Sequence, residues 1–332
     1  MEEKKRIEYI DIARGIAIIL MIIGHIVPNG LARKVIFSFH MPLFILVSGY
    51  FFKEKESFKE LVIKVLKSLI LPYAITIIVF NTLNGLINNN DILLIIQKIF
   101  KQLIFSISLQ GNIDFGAKSV GPIYFIPLLA LIKIVYYFIC RITKEKYLHR
   151  ALICYIITLI GVFIGIKGYW LPFSIDVALA CVSFMLVGNM AKKYNLLEKI
   201  LKDWKIIILF VIAWIIGLKF GNIEIAIRSY PNIITTYITA ISGAIVIFYL
   251  SSLIEKYFHI FSKVLTWYGR NSMYILCMHR LESGLIDYKN LSKGMIFVCK
   301  MTIVTIGTVV INLIKGIYKK KEVKKWKNMI IL

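Results

Sequence analysis

The chain has 332 residues, of which 59% are hydrophobic, and a mean hydropathy of +0.78. This composition excludes a soluble domain of the ordinary kind. The formal net charge of +23 raises nucleic-acid binding, but the positive charges lie in short connections between apolar segments. Because the longest polar interval is too short to bury a core, we expect one integral membrane domain over residues 1–332.

Apolar windows of about 20 residues, the length needed to cross a bilayer, recur along nearly the whole chain. They predict an all-α, polytopic membrane protein with about ten transmembrane helices. The predicted spans are residues 11–28, 34–52, 68–87, 121–140, 148–166, 174–191, 205–219, 231–252, 264–283 and 295–314.

Lysine and arginine residues between the predicted spans are concentrated in alternate connections. This positive-inside bias predicts a multi-pass protein of the plasma membrane with both termini in the cytoplasm. The basic tail, residues 315–332, is expected to lie near anionic membrane lipid and not to bind nucleic acid. The first span should remain as an uncleaved anchor, because Asp11 and Arg14 interrupt its apolar stretch and no small-residue cleavage site follows.

The first span carries two ionisable residues, Arg14 and His25, within IDIARGIAIILMIIGH. Ionisable side chains in a spanning helix are costly and indicate function. Eleven residues of α-helix place both within roughly 20° of one face and about 16 Å apart along the axis. Asp11 lies one turn before Arg14, so it either forms an intramembrane ion pair or orients the cation towards a ligand anion.

The second span, VIFSFHMPLFILVSGYFF, places His40 at a depth similar to that of His25. Each histidine alone is often a satisfied core residue, but two imidazoles at one depth suit general-base chemistry. A zinc site is not favoured because a third and a fourth ligand are missing, and we expect no metal. Ser48 and Gly49, near the other end of this span, allow close helix packing or contact with a substrate.

The third predicted span is preceded by Lys64 and Lys67 at the cytoplasmic surface. They are either a solvated helix end or, with Arg14, a basic mouth suited to phosphates. The following outer segment, 88–121, contains the amphipathic stretch DILLIIQKIFKQLIFSIS, which predicts a helix lying in the membrane interface. It would be a simple cover or a lid over an outward-facing site.

The second half of the chain has two polar groupings. Glu224 and Arg228 have the i,i+4 spacing of an ion pair on a helix. The ninth span, LTWYGRNSMYILCMHRLE, is polar enough to line a cavity, and its candidate supporting residues are Arg270, Ser272 and His279. The five cysteines lie in or beside apolar spans without a paired motif, and are predicted to be buried and neither disulfide-bonded nor metal-bound.

These motifs together resemble acyltransferase family 3, a family of integral membrane enzymes, and in particular its fucose 4-O-acetylase-like branch. The resemblance runs from about residue 9 to residue 314. Five fragments occur in the family's order: IDIARGIAIILMIIGH, FSFHMPLFILVSGYFF, VGPIYFIPLLAL, LPFSIDVALACVSFMLVGNMA and WYGRNSMYILCMH. In the third fragment Tyr124 replaces the family's tryptophan, and Lys64 and Lys67 stand where related members often have two arginines.

The resemblance implies transfer of an acyl group, usually acetyl, from cytoplasmic acetyl-CoA to a hydroxyl of an extracytoplasmic sugar or cell-envelope glycan. His25 would be the catalytic base, with His40 or residues of the ninth span assisting, and an acetyl-histidine intermediate stays open. Arg14, Lys64 and Lys67 would contact the coenzyme. The alternatives are a transporter or flippase for a sugar-lipid or small anion, with Arg14 as anchor and the histidines as proton relay, and a catalytically silent relative acting as a sensor.

Overall fold

The computed structural model describes residues 7–108, 118–220 and 223–330, with side chains up to residue 318. The described chain is helical and contains no strand beyond one isolated bridge, which confirms the all-α prediction. Its α-helices are α1 (Glu8–Gly24), α2 (Leu31–Tyr50), α3 (Phe58–Val65), α4 (Leu71–Ile87), α5 (Ile92–Phe105), α6 (Phe125–Thr143), α7 (Tyr147–Ile166), α8 (Ile175–Lys193), α9 (Leu196–Lys202), α10 (Trp204–Phe220), α11 (Ile233–Tyr257), α12 (His259–Arg270), α13 (Ser272–Leu285) and α14 (Lys293–Ile330).

Each of the ten predicted spans contains a helix, and the chain is a polytopic membrane protein. In the described residues, seven helical rods are long and apolar enough to cross a bilayer. The other three predicted spans correspond to α1 and α10, which have 17 residues each, and to the interrupted pair α12 and α13. Large apolar side chains stay exposed along the rods, as lipid contact requires.

The helices differ from the predicted spans at two places. The third span begins at Phe58 and not at residue 68, because α3 passes through a π-helical turn, Leu66–Ile70, directly into α4. The ninth span is not one helix: it is interrupted at Asn271, whose side-chain oxygen accepts a hydrogen bond from Asn312. α14 continues beyond the predicted tenth span to Ile330, and the cytoplasmic position of residues 315–332 stays a prediction.

Glycines set the closest approaches between helices, as the sequence predicts for Gly49. Gly15 of α1 faces Gly269 of α12, and a Cβ atom at Gly269 would lie 1.7 Å from the backbone oxygen of Asp11. Gly49 of α2 similarly faces Gly188 of α8. Small residues let backbones meet in membranes, where water does not drive helices together. The α1–α12 contact therefore fixes the position of Arg14 beside the interruption at Asn271.

The amphipathic helix α5 packs against α4, where Ile95 touches Gly85. The Gln102 amide oxygen accepts a hydrogen bond of 2.7 Å from Asn81. Exposed apolar residues such as Ile92 and Phe100 cover the opposite face. This arrangement fits a helix held at the membrane boundary, with its polar side turned towards the protein. Part of the predicted outer segment, 109–117, lies outside the described residues.

The predicted helical ion pair between Glu224 and Arg228 was wrong. The segment forms a 3-10 turn, Ile225–Ile227, closed by a bridge between Glu224 and Ser229, and Arg228 has a positive φ of 55°. Arg228 pairs instead with buried Asp176, through Nε at 2.9 Å. Glu224 pairs with Arg33, at 3.0 Å. The i,i+4 rule fails because the residues between the charges do not continue as a helix.

Candidate active site

Two cavities lie end to end inside the bundle. The basic-end cavity, about 260 Å³, is bounded by Arg14, Ser48, Lys133 and Ser272 among apolar side chains. The histidine-end cavity, about 290 Å³, is bounded by His25, Arg33, Tyr124 and Glu224. The two cavities share four lining residues, which are Met21, His40, Met41 and Leu276. They therefore meet around His40, the one shared residue with a polar side chain.

Arg14 is held at the basic-end cavity by partners on its own helix and across the bundle. Its Nη1 lies 3.3 Å from Asp11 and its Nη2 donates to Ser272 Oγ at 2.9 Å. Asp11 also accepts from Arg270 Nε, at 3.2 Å. The structure thus gathers four predicted residues, Asp11, Arg14, Arg270 and Ser272, at the interruption between α12 and α13. Irregular helix of this kind is tolerated in a membrane where it borders a cavity.

The predicted lysines do not join Arg14. Lys64 pairs with Glu56, and it borders a separate surface recess formed by residues 53–64. Lys67, in the π-helical turn, is exposed and does not line the basic-end cavity. The second cation at this cavity is Lys133 of α6, which the sequence analysis missed. A lysine within an apolar span was the available signal, by the same rule that found Arg14.

His25 and His279 are in ring contact, with centroids 5.4 Å apart. His279 is buried, and its Nδ1 lies 2.6 Å from the carboxylate of Glu282. Because a carboxylate accepts, Nδ1 carries the proton in this pair. Glu282 also accepts from Lys300, at 2.9 and 3.0 Å, and from the Tyr288 hydroxyl, at 2.7 Å.

Exposed His25 is thus linked through His279 to the buried carboxylate of Glu282. Sequence analysis identified His25 and His279 but not Glu282 or Lys300. Glu282 follows His279 by three residues, a spacing that puts both on one helix face and could have been noticed. Lys300 lies on α14, and nothing local in the sequence joins it to Glu282.

His40 is buried and separated from His25 by Phe37. The Phe37 ring lies 5.8 Å from the His25 ring and 4.8 Å from the His40 ring, between centroids. His40 Nδ1 donates to the backbone oxygen of Ile36 at 2.9 Å, since a carbonyl oxygen only accepts. Nε2 is then left as an acceptor, on a residue that borders both cavities. The prediction that the two imidazoles share one region is consistent with this geometry.

The two remaining predicted residues also line the cavities. Ser48, on α2, faces the basic-end cavity, and its buried Oγ forms no hydrogen bond within the described residues. Tyr124, in the 3-10 turn that precedes α6, is buried at the histidine-end cavity. Within residues 7–108, 118–220 and 223–318, no cluster of three or more metal-ligating side chains is found. The prediction that no metal is used stays a prediction.

The apolar helices long enough to cross a bilayer define a multi-pass membrane protein, whose bundle contains a cationic cavity and a histidine cavity. The family model of the acyltransferase domain, acyltransferase family 3, matches residues 7–315, nearly the whole chain. The chain belongs to this family and is a membrane acyltransferase. No curated protein and no solved structure matches the chain.

Proposed function

We propose that the protein is an O-acetyltransferase that moves an acetyl group from acetyl-CoA to a hydroxyl of a sugar or cell-envelope glycan. The observation that supports this most directly is the meeting of the two cavities at His40. A cationic cavity suits the phosphates of a coenzyme, and a histidine cavity suits deprotonation of a hydroxyl. The acetyl group could then pass from donor to acceptor where the two cavities meet, at His40.

The proposed topology follows the charge bias of the sequence. The basic end, where α1 begins and Lys64 lies, would face the cytoplasm of a plasma-membrane protein, where acyl-CoA is found. The histidine end would face outwards, towards the acceptor. Arg14 and His25, about 16 Å apart along one helix, would lie at the two ends of the coenzyme's pantetheine arm.

In the proposed reaction His25 is the general base. It removes the proton of the acceptor hydroxyl as that oxygen attacks the thioester carbonyl. The carbon–sulfur bond breaks, and the coenzyme thiolate takes the proton back from the imidazolium. The products are an O-acetyl ester and free coenzyme A. His279, held by Glu282, would orient the neighbouring His25 ring and stabilise its protonated form.

The acceptor would enter from the rim formed by Arg33 and Glu224. These two side chains form a partly exposed ion pair that borders the histidine-end cavity. Charged and amide groups at a rim can donate to and accept from the hydroxyls of a sugar. Phe37 lies beneath the Arg33 guanidinium, 4.3 Å from ring centroid to Cζ, and gives the rim a fixed apolar floor.

Membrane vesicles supplied with labelled acetyl-CoA would test the proposal. We expect label to appear in an envelope glycan, and the rate to fall at least 100-fold in His25→Ala. His149→Ala is the matched control, because His149 is exposed at the start of α7 and lines neither cavity. Unchanged transfer in His25→Ala would refute the role of His25. Movement of a glycolipid or anion without consumption of acetyl-CoA would instead favour a transporter.

A further inference from the structure

One of the cations that border the basic-end cavity is Lys133. Lys133 lies near the middle of α6, and its partly exposed side chain borders the cavity. It forms no hydrogen bond or ion pair within the described part of the chain, residues 7–108, 118–220 and 223–318. A charged lysine in a spanning helix is costly and is kept where a counter-charge or water reaches it. The counter-charge or water that Lys133 needs must therefore come from the cavity that it borders.

The charges around Lys133 do not supply that counter-charge. Arg14, Lys64 and Glu56 are the charged groups near enough to act on it. Two of these three are cations, and Glu56 is paired with Lys64. Arg14 lines the same cavity, where it is held by Asp11 and Ser272. Two cations thus border one cavity whose other walls are largely apolar, which favours a multiply charged anion.

The length of the site indicates which anion. Arg14 lies about 16 Å along α1 from His25, and the cavity between them reaches His40. In an acyl-coenzyme A, an arm of comparable length separates the reactive thioester from the diphosphate. The 3′-phosphate lies further away, on the ribose. A thioester at the histidines would therefore bring the diphosphate to the level of Arg14.

We propose that Lys133 and Arg14 bind the diphosphate of the acyl donor, so that Lys133 provides the phosphate contact that the sequence predicted for Lys64 and Lys67. The inference rests on the proposed function, because it presumes a coenzyme A thioester as donor. The inference goes beyond the proposed function because it names Lys133, a residue of α6, as a donor-binding residue. Neither Lys64 nor Lys67 lines the basic-end cavity: Lys64 pairs with Glu56 at a separate surface recess, and Lys67 is exposed.

The test is equilibrium binding to the purified full-length protein in detergent. The probes are coenzyme A, dephospho-coenzyme A, which lacks only the 3′-phosphate, and pantetheine, which lacks every phosphate. Lys133→Met should weaken binding of both phosphorylated probes about 10- to 100-fold, the effect of one lost charged hydrogen bond. Pantetheine should bind Lys133→Met and the unaltered protein equally. Lys133→Arg should retain most of the affinity, and exposed Lys59→Met is the matched control.

Folding of the variant can be checked in the same samples. Removal of an unpaired charge from a membrane span should leave the melting temperature of the unliganded protein unchanged or raise it. The protection by coenzyme A against heat should shrink in Lys133→Met.

Two outcomes separate failure of this inference from failure of the proposed function. If the unaltered protein does not bind coenzyme A, the proposed function is wrong and the inference falls with it. If it binds coenzyme A and Lys133→Met binds equally well, the inference alone is wrong. Weaker binding of coenzyme A but not of dephospho-coenzyme A would also overturn it, since the 3′-phosphate would then be the contact. So would a loss of binding in Lys67→Met without one in Lys133→Met.

Discussion

His25 and His279 lie ring to ring, with their planes 34° from parallel, and the second of the two rings is anchored by the carboxylate of Glu282. The exposed ring can meet a substrate, while the buried one is fixed by Glu282 and, through it, by α14. In metal sites and acid–base sites, such outer partners determine the tautomer and orientation of the group that reacts. A substitution of Glu282 can therefore test the orienting role of His279 without altering His25, the ring that would meet the substrate.

Glu282→Gln should lower the transfer rate about 100-fold with little change in the KM for acetyl-CoA. The variant keeps the shape of the side chain but removes the negative charge that favours a protonated imidazole next to it. It also leaves Lys300 buried without its counter-charge, which should cost about 3–5 kcal/mol of stability. Initial rates and thermal unfolding in detergent measure the two effects.

The double variant Glu282→Gln with Lys300→Met provides the control. Replacement of both charges should restore much of the melting temperature, because no unpaired charge remains, and leave the rate low. If the rate recovers along with stability, Glu282 has only a structural role.

Gly269→Ala should destabilise the bundle by about 1–3 kcal/mol and reduce transfer. The added methyl group would overlap the backbone oxygen of Asp11 at 1.7 Å, so α1 and α12 must separate. Arg14, which is positioned by that contact, would move with α1. Gly294→Ala is the control, since nothing lies within 4 Å of the atom it adds. Thermal unfolding of the two variants compares them, and equal melting temperatures would contradict the assigned contact.

The spans could be predicted from the sequence because a long apolar helix is stable in lipid whichever helices it packs against. The cost of ionisable groups in lipid likewise identified Arg14, His25 and His40. Lys133, a single lysine in an apolar helix, carries the same cost, but its sequence position does not show which residues it meets. The structure places it in the same cavity as Arg14.

Tertiary contacts explain what the sequence did not reveal. Lys300 meets Glu282 only because α14 packs against α13, and Glu224 meets Arg33 only because a turn replaces the expected helix. The ion pair between Lys64 and Glu56 depends on the conformation of residues 51–57, which connect α2 to α3. Spacing rules describe residues on one helix, and each of these pairs joins two elements.

Asp176→Asn should destabilise the protein by about 3–5 kcal/mol, because Arg228 would lose its counter-charge while remaining buried. Trp170, 4.0 Å from ring centroid to the Arg228 Cζ, cannot replace a carboxylate. Glu224→Gln is the comparison: its partner Arg33 is partly exposed, so the change should cost at most about 1 kcal/mol. Chemical unfolding in detergent ranks the two, and an equal loss would show that the buried pair is not more important than the exposed one.

Asp11→Asn should raise the KM for acetyl-CoA about tenfold and leave kcat within a few-fold of its original value. Asp11 accepts from both Arg14 and Arg270, so the amide would no longer hold the two guanidinium groups in place. Under the proposed function, Arg14 meets the donor far from the reacting carbonyl, and a weaker hold on it costs binding more than chemistry. Asp287→Asn, at an exposed site paired with Lys289, is the matched control for charge. Titration of acetyl-CoA in both variants measures the two constants; a large fall in kcat at constant KM would place Asp11 nearer to the reacting atoms than this structure does.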